Sequence, residues 1–141
     1  MNPCPLCGGN CKPFANTTLT IAHHLWSDRV TGLSGCQCER ADCAELHLDD
    51  DSQHRYAAAS DALVLAARRH AGQELRRIRR KLKLTQADAA RLTGGGHNGF
   101  SRYEKGVTQP LPAVINLFRL LDRHPEMLGE LLPDRSVPQA A

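Results

Sequence analysis

At 141 residues and a net charge of +3, the chain can hold one ordinary domain or two small ones. No stretch approaches the roughly 18 apolar residues of a membrane span. The start, Met-Asn-Pro-Cys-Pro-Leu-Cys, has neither the positive nor the apolar region of a secretory signal. We therefore expect a cytoplasmic protein without a membrane partner.

The charge is unevenly distributed along the chain. Residues 39–61 contain seven acids and two bases, whereas residues 68–105 contain eleven bases and three acids. Such an excess of bases indicates a surface that neutralises phosphates. The alternative interpretation is an ordinary solvated basic helix.

All six cysteines lie within the first 45 residues. Because cytoplasmic thiols stay reduced, this density favours a bound metal over disulfides. Structural zinc takes four ligands in a tetrahedron, and four thiolates leave no position open for a reacting water. The sequence therefore predicts an N-terminal domain, over residues 1–48, that needs structural Zn²⁺ to fold.

The motif Cys4-Pro-Leu-Cys7-Gly-Gly predicts the first pair of zinc ligands, since a Cys-x-x-Cys turn directs two thiolates at one ion. The second pair must come from Cys36, Cys38 and Cys43, whose spacing is irregular. We assign Cys38 and Cys43, because the four residues between them are within the range of zinc pairs. Cys36 remains an alternative ligand in place of Cys38.

Between the two pairs, Thr18–Trp26 alternates in the manner of a strand in a zinc-ribbon hairpin. Cys11 lies outside both pairs, and we interpret it as a small buried apolar residue. His23 and His24 raise the alternative of a catalytic zinc. No acid stands next to them as a base, so the sequence favours a structural ion and predicts that the protein is not an enzyme.

A connector helix is predicted from about residue 53 to residue 70. Apolar residues recur there at helical spacing, Ser52 can cap the start, and the three aspartates before it favour the positive end of a helix. From Gln73 a further helix is predicted, with Leu75, Ile78 and Leu82 on one face and basic residues on the others.

A second helix of this basic region is predicted to open at Thr85. Thr85 can cap it, Asp88 can return the bond at the third helical position, and Leu84 can pack against Ala89. The glycines at 94–96 end this helix by supplying positive φ angles for a tight reversal. The result is the first half of a helix-turn-helix motif.

A third helix is predicted over His97–Lys105, stopped by Gly106. Phe100 and Tyr103 face inward, whereas Asn98 and Arg102 share the outward face. Asn and Arg bond bidentately to adenine and guanine in the major groove, which is typical of a recognition helix. The candidate DNA-contacting residues, for bases or phosphates, are Thr85, Gln86, His97, Asn98, Ser101, Arg102 and Lys105.

Beyond this motif, one helix is predicted to start at Pro110-Leu-Pro112 and a short last one at Pro125. Their apolar residues offer a surface for a homodimer, which a two-fold operator requires. The predicted fold is mainly α: a small zinc-ribbon-like β module joined by a helix to a five-helix, XRE or lambda-repressor-like domain. The predicted parts are 1–48, the connector 49–71, the DNA-binding and dimerisation domain 72–133, and a disordered tail 134–141.

Residues 78–128 run from Ile-Arg-Arg-Lys-Leu-Lys-Leu-Thr-Gln through Gly-Gly-Gly-His-Asn-Gly-Phe-Ser-Arg-Tyr-Glu-Lys-Gly to Leu-Leu-Asp-Arg-His-Pro-Glu-Met-Leu. This stretch closely resembles the MqsA-type antitoxins, and with the N-terminal Cys-Pro-x-Cys the resemblance extends loosely over nearly the whole chain. The resemblance implies a zinc-binding domain that contacts a cognate ribonuclease toxin. It also implies an XRE-like domain that dimerises and represses its own operon.

The family's base-reading Asn and Arg correspond to Asn98 and Arg102. In the wider XRE-like class an arginine at the position of Arg79 commonly pairs with the glutamate at Glu104, and the resemblance implies that pair here. The chain departs from the family in two features. Its second cysteine pair does not have the Cys-x-x-Cys spacing found in the family, and it has two adjacent histidines, His23 and His24. The alternative function is a stand-alone or phage-type regulator with a structural zinc module.

Overall fold

The computed structural model describes residues 3–96 and 98–134 of the chain. The chain divides into two compact units, Met1–Val64 and Leu65–Ala141. The predicted tail beyond Asp134 and the predicted role of His97 lie outside the described residues. Across the described ranges, no helix combines the length and the apolar character that crossing a bilayer requires.

The first unit contains a three-stranded antiparallel sheet in the order β1-β2-β3. The strands are β1 (Cys11–His23), β2 (Trp26–Cys38) and β3 (Leu46–Leu48). The hairpin predicted from the alternation at 18–26 is therefore confirmed, although its strands are longer than that pattern indicated. Its core consists of Ile21, Val30 and Leu33, packed by Leu19, Leu48, Tyr56, Ala59 and Leu63.

The long helix α1 covers Asp50–Lys81, so the prediction of two helices, about 53–70 and from Gln73 onward, is wrong. The backbone continues through Gly72, which is buried against another part of the chain rather than ending a helix. A Cβ at this position would lie only 2.2 Å from the carbonyl oxygen of Tyr103. Because Gly72 has no side chain, the backbone at Tyr103 can approach α1 closely at this point. The local sequence pattern does not reveal this contact.

The start of α1 also differs from the prediction. The Asp49 carboxylate accepts a hydrogen bond from the Ser52 backbone N–H at 2.8 Å, which is the geometry of a capping residue. Ser52 is not the cap. Its hydroxyl oxygen accepts a bond from the Ser34 backbone N–H at 2.8 Å and joins the helix to β2.

Short helices make up the rest of the second unit: α2 (Gln86–Thr93), α3 (Gly99–Glu104), α4 (Pro112–Arg123) and α5 (Leu128–Leu131), with a 3₁₀ turn at Pro125–Met127. Thr85 caps α2 and forms the predicted capping box with Asp88. Of the three glycines that follow, only Gly94 has a left-handed φ, of 70°, so one glycine rather than three makes the reversal.

The core of the second unit surrounds two aromatic rings that contact each other at a tilt. Phe100 of α3 and Phe118 of α4 are both buried, with ring centroids 5.1 Å apart. Apolar residues from the end of α1, from α2 and from α5 complete it, including Leu75, Ile78, Leu84, Ala89, Leu121 and Leu128. The core therefore holds α3 by one face and leaves its opposite face to solvent.

Candidate metal centre and nucleic-acid interface

The first pair of thiols is presented by a tight turn. The Gly8 backbone N–H donates to the Cys4 carbonyl at 2.8 Å, and the Cys4 N–H donates to the Gly9 carbonyl at 2.8 Å. Gly8 has a φ of 71°, a conformation that favours glycine. The Cys-x-x-Cys-Gly-Gly sequence thus folds back on itself and directs the thiols of Cys4 and Cys7 to one side.

The second pair is presented by the wider loop after β2. The Cys38 N–H donates to the Glu45 carbonyl at 2.8 Å, and the N–H groups of Cys43 and Ala44 both donate to the Arg40 carbonyl. Ala44 takes a φ of 49° to complete this turn. The four residues between Cys38 and Cys43 are therefore folded into a compact loop that brings the two thiols together.

The thiols of Cys4, Cys7, Cys38 and Cys43 lie within 4.8 Å of one another. The Cys4–Cys43 sulfur distance is 3.9 Å and the Cys7–Cys38 distance is 3.5 Å. Four sulfurs bound to one zinc ion at about 2.3 Å stand about 3.8 Å apart, so these distances fit the edges of such a tetrahedron. This cysteine centre can hold a metal ion.

The electrostatics of the centre fit a cation. Burial raises the pKa of Cys4, but hydrogen bonds from the Cys7 backbone and the His47 side chain outweigh it and lower that pKa to about 6. The Arg40 backbone lowers the pKa of Cys38, yet burial and the neighbouring thiols raise it to about 12. Ionisation of Cys4 is therefore favoured and ionisation of Cys38 is opposed. A bound divalent ion would balance the negative charge of both thiolates.

Cys36 and Cys11 lie beside this centre but outside the group of four. The structure brings Cys38 rather than Cys36 to the other three thiols. Cys11 is only 3% exposed, and burial raises its pKa to about 11. His23 and His24 lie at the end of the hairpin, with ring centroids 4.5 Å apart, and among the described residues neither joins a metal-ligating group.

Sequence reasoning missed His47, whose Nε2 lies 3.3 Å from the Cys4 sulfur. His47 is the middle residue of the short strand β3, between Leu46 and Leu48. The pattern Leu-His-Leu places the imidazole on the face opposite the two leucines. A three-residue alternation was the only local signal, and only the fold shows that this face meets the cysteines.

The exposed face of α3 carries most of the predicted DNA-contacting residues. Asn98, Arg102 and Lys105 are exposed and Ser101 is half-buried, while Phe100 is buried on the opposite side. Asn98 is the N-cap residue of α3, and its side chain makes no capping hydrogen bond to this helix. The helix observed at Gly99–Glu104 is shorter than the predicted His97–Lys105.

The other two described candidates bond within the protein. The Thr85 hydroxyl accepts from the Asp88 N–H at 3.1 Å and donates to the Asp88 carboxylate at 2.7 Å. The Gln86 amide donates to Glu104 at 2.9 Å. Both side chains therefore have structural partners at the start of α2, next to the exposed surface.

The implied pair of Arg79 and Glu104 is present. Two guanidinium nitrogens of Arg79 donate to the two carboxylate oxygens, and a third donates to the Leu84 carbonyl at 2.9 Å. Burial opposes ionisation of Glu104, but hydrogen bonds from Arg79 and Gln86 hold its pKa below the usual value. This network ties α3 to α1 and to the start of α2.

The basic surface of α1 is only partly neutralised. Arg77 and Lys81 contact the Asp122 carboxylate at 2.9 and 2.7 Å, and they hold the pKa of Asp122 at about 2. Arg76 and Arg80 lie beside them around an open cavity of about 470 Å³. A basic surface of this kind attracts phosphate groups.

The fold and the site define a two-part protein, with a β unit that can hold a metal ion and a unit of short helices with an exposed polar face. The family model described as "Antitoxin component of bacterial toxin-antitoxin system, MqsA" matches residues 1–132. The chain therefore belongs to the MqsA antitoxin family.

A similar protein is "Antitoxin MqsA" of Escherichia coli (strain K12). It is 39% identical over 104 residues, which are 72% of this chain and 78% of that protein. Membership of an antitoxin family indicates a regulatory protein rather than an enzyme, and it implies a cognate toxin as partner.

Proposed function

We propose that this antitoxin is also a sequence-specific repressor that binds operator DNA through α2 and α3 as a helix-turn-helix. The observation that carries the proposal is the exposed face of α3, where Asn98, Arg102 and Lys105 stand opposite the buried Phe100. Asn and Arg are the side chains that read adenine and guanine in the major groove. A helix that is packed on the core by one face and is polar on the other can present both side chains to the major groove.

The neighbouring elements fix the direction of this helix. The Arg79–Glu104 network joins it to α1, and Gly94 reverses the chain between α2 and α3. Side chains held by rigid surroundings lose little further freedom on binding, which favours specific contacts. Ser101 and Lys105, with Gln86 at the start of α2, would contact phosphates and set the register of the helix on the duplex, while Thr85, whose hydroxyl donates to Asp88, would contact DNA only by giving up that bond.

For the cysteine centre we propose structural zinc, held by Cys4, Cys7, Cys38 and Cys43. A closed set of four thiolates is typical of structural zinc, and its folding energy would stabilise a unit whose apolar core is small. When bound, the ion would supply positive charge to the buried thiolates. Reduced thiols of this kind belong to the cytoplasm, where we place the protein.

We propose that the zinc-binding unit neutralises a cognate ribonuclease toxin and that repression of the antitoxin's own operon follows from the helical unit. A homodimer through that unit would match a two-fold operator. Leu111, Leu120 and Leu131 support this proposal, because they are 63%, 54% and 47% exposed and form surface that a partner copy could cover.

The experiment that tests DNA reading is a binding titration on the DNA upstream of the protein's own gene. Arg102→Ala and Asn98→Ala should each weaken specific binding by about 1–3 kcal/mol, with lost discrimination at one base pair per half-site. Arg123→Ala is the matched control, because Arg123 is an exposed arginine of α4 and not of α3. Equal affinity of the Arg102→Ala protein and the wild type would refute the assignment.

A further inference from the structure

A second group of metal-binding donors adjoins the cysteine centre. Cys11 and Cys36 lie in the same side-chain cluster as the four thiols of that centre. His47 contacts it directly, with Nε2 3.3 Å from the Cys4 sulfur. None of these three side chains has a role in the function proposed above.

The sheet register places these donors on one face. Cys11 pairs with Cys38 across β1 and β2, and Cys36 pairs with His47 across β2 and β3. Cys36 and Cys38 are two residues apart on β2, and side chains two apart in a strand point to the same face. Cys11, Cys36 and His47 therefore stand on the face where Cys4 lies.

The distances and the surroundings suit a metal ion. A sulfur and a nitrogen bound tetrahedrally to one zinc ion stand about 3.5 Å apart, close to the 3.3 Å between Cys4 and His47. Cys4, Cys11 and Cys36 belong to one side-chain cluster, and a divalent ion would balance the charge of their thiolates.

We propose that the unit binds a second zinc-class divalent ion through Cys11, Cys36 and His47, with the Cys4 thiolate shared between the two ions. Two four-coordinate ions that share one ligand need about seven donors, which the six thiols and one imidazole supply. Because Cys4 belongs to both sites, this inference rests on the metal site of the proposed function.

The second site is the more open of the two. Among the described residues, only the four thiols of the first centre lie within 4.8 Å of one another. Cys36 is half-buried and lines, with His47, Phe14 and Leu48, an open cavity of about 610 Å³. This cavity gives an ion access from solvent, and we expect the ion to draw the donors of the second site together when it binds.

The metal content of the full chain tests the proposal. The reduced protein is saturated with Zn²⁺, freed of excess ion, and weighed by native mass spectrometry. Two ions per chain are expected. One ion would overturn this inference and leave the first site standing, whereas no ion would refute both.

Variants identify the ligands of the second ion. Cys36→Ser and His47→Gln should each bind one ion, while His54→Gln, an exposed histidine of the same unit, should keep two. Retention of two ions by the first two variants would contradict the assignment. If either variant fails to fold, ¹¹³Cd spectra of the wild-type protein decide: a shared thiolate predicts two mutually coupled resonances, and a single resonance would overturn the proposal.

Discussion

Removal of the Arg79 side chain tests how α3 is held. Arg79→Ala would leave the Glu104 carboxylate, only 6% exposed, without its charged partner and would free the Leu84 carbonyl. Breaking one side of a buried ion pair costs about 3–5 kcal/mol, because the remaining charge stays desolvated. The Gln86 amide still donates to Glu104, so we expect the lower part of that range.

The assay is urea denaturation of the full protein, followed by the circular dichroism of its helices. The matched control is Arg91→Ala, which breaks an exposed pair whose members, Arg91 and Asp134, are 55% and 61% exposed. An exposed pair contributes about 0–1 kcal/mol, so this variant should be close to the wild type. A loss below about 1 kcal/mol for Arg79→Ala would refute the argument that this pair anchors α3.

The pH dependence of the Arg79→Ala effect gives a second check. In the wild type the pKa of Glu104 lies below its ordinary value of 4.5, so the pair's contribution is present above that pH and declines below it. The variant can relieve its unpaired charge by protonating Glu104. Because burial raises the pKa of Glu104 once Arg79 is removed, the difference in stability between wild type and variant should shrink as the pH falls from the raised pKa in the variant to the lowered pKa in the wild type, and a constant difference would contradict the electrostatic explanation.

Three further predictions concern a cap, a titration and the metal. Thr85→Ala should lower the free energy of unfolding by about 1 kcal/mol through loss of the α2 cap, and denaturation showing no loss would contradict it. Because Arg77 and Lys81 lower the pKa of Asp122 from 3.8 to about 2, Asp122→Asn should destabilise at neutral pH. That deficit should vanish as the pH falls from 3.8 to about 2, and a deficit that persists there would count against the ion pairs. Chelation of zinc should abolish amide-exchange protection in β1 and β2, whereas full protection without metal would show that the sheet folds alone.

Local chemistry made part of this fold predictable. The capping box at Thr85 and Asp88 spans four residues, and the hairpin follows from alternation along one strand. The grouping of Cys38 and Cys43 with Cys4 and Cys7 could be expected from spacing, since a loop of that length can bring two thiols together; that the four bind zinc stays a prediction. Each of these features depends on residues close together in the sequence.

The features that sequence reasoning missed depend on distant parts of the chain. In the sequence, Gly72 is typical of a helix boundary. In the structure it lies inside α1, and its missing side chain leaves room for the backbone of Tyr103. From the sequence, Gln86 is a candidate phosphate-contacting residue. In the structure its amide also donates a hydrogen bond to Glu104. His47 has no local metal motif and meets Cys4 only through the register of β3.

We propose that α3 reads the operator of the antitoxin's own gene. The most direct test fuses the DNA upstream of the gene to a reporter and supplies either the wild-type protein or Arg102→Ala at equal cellular levels. We expect strong repression by the wild type and its loss in the variant, with toxin neutralisation retained by both. Equal repression by the two proteins would contradict it.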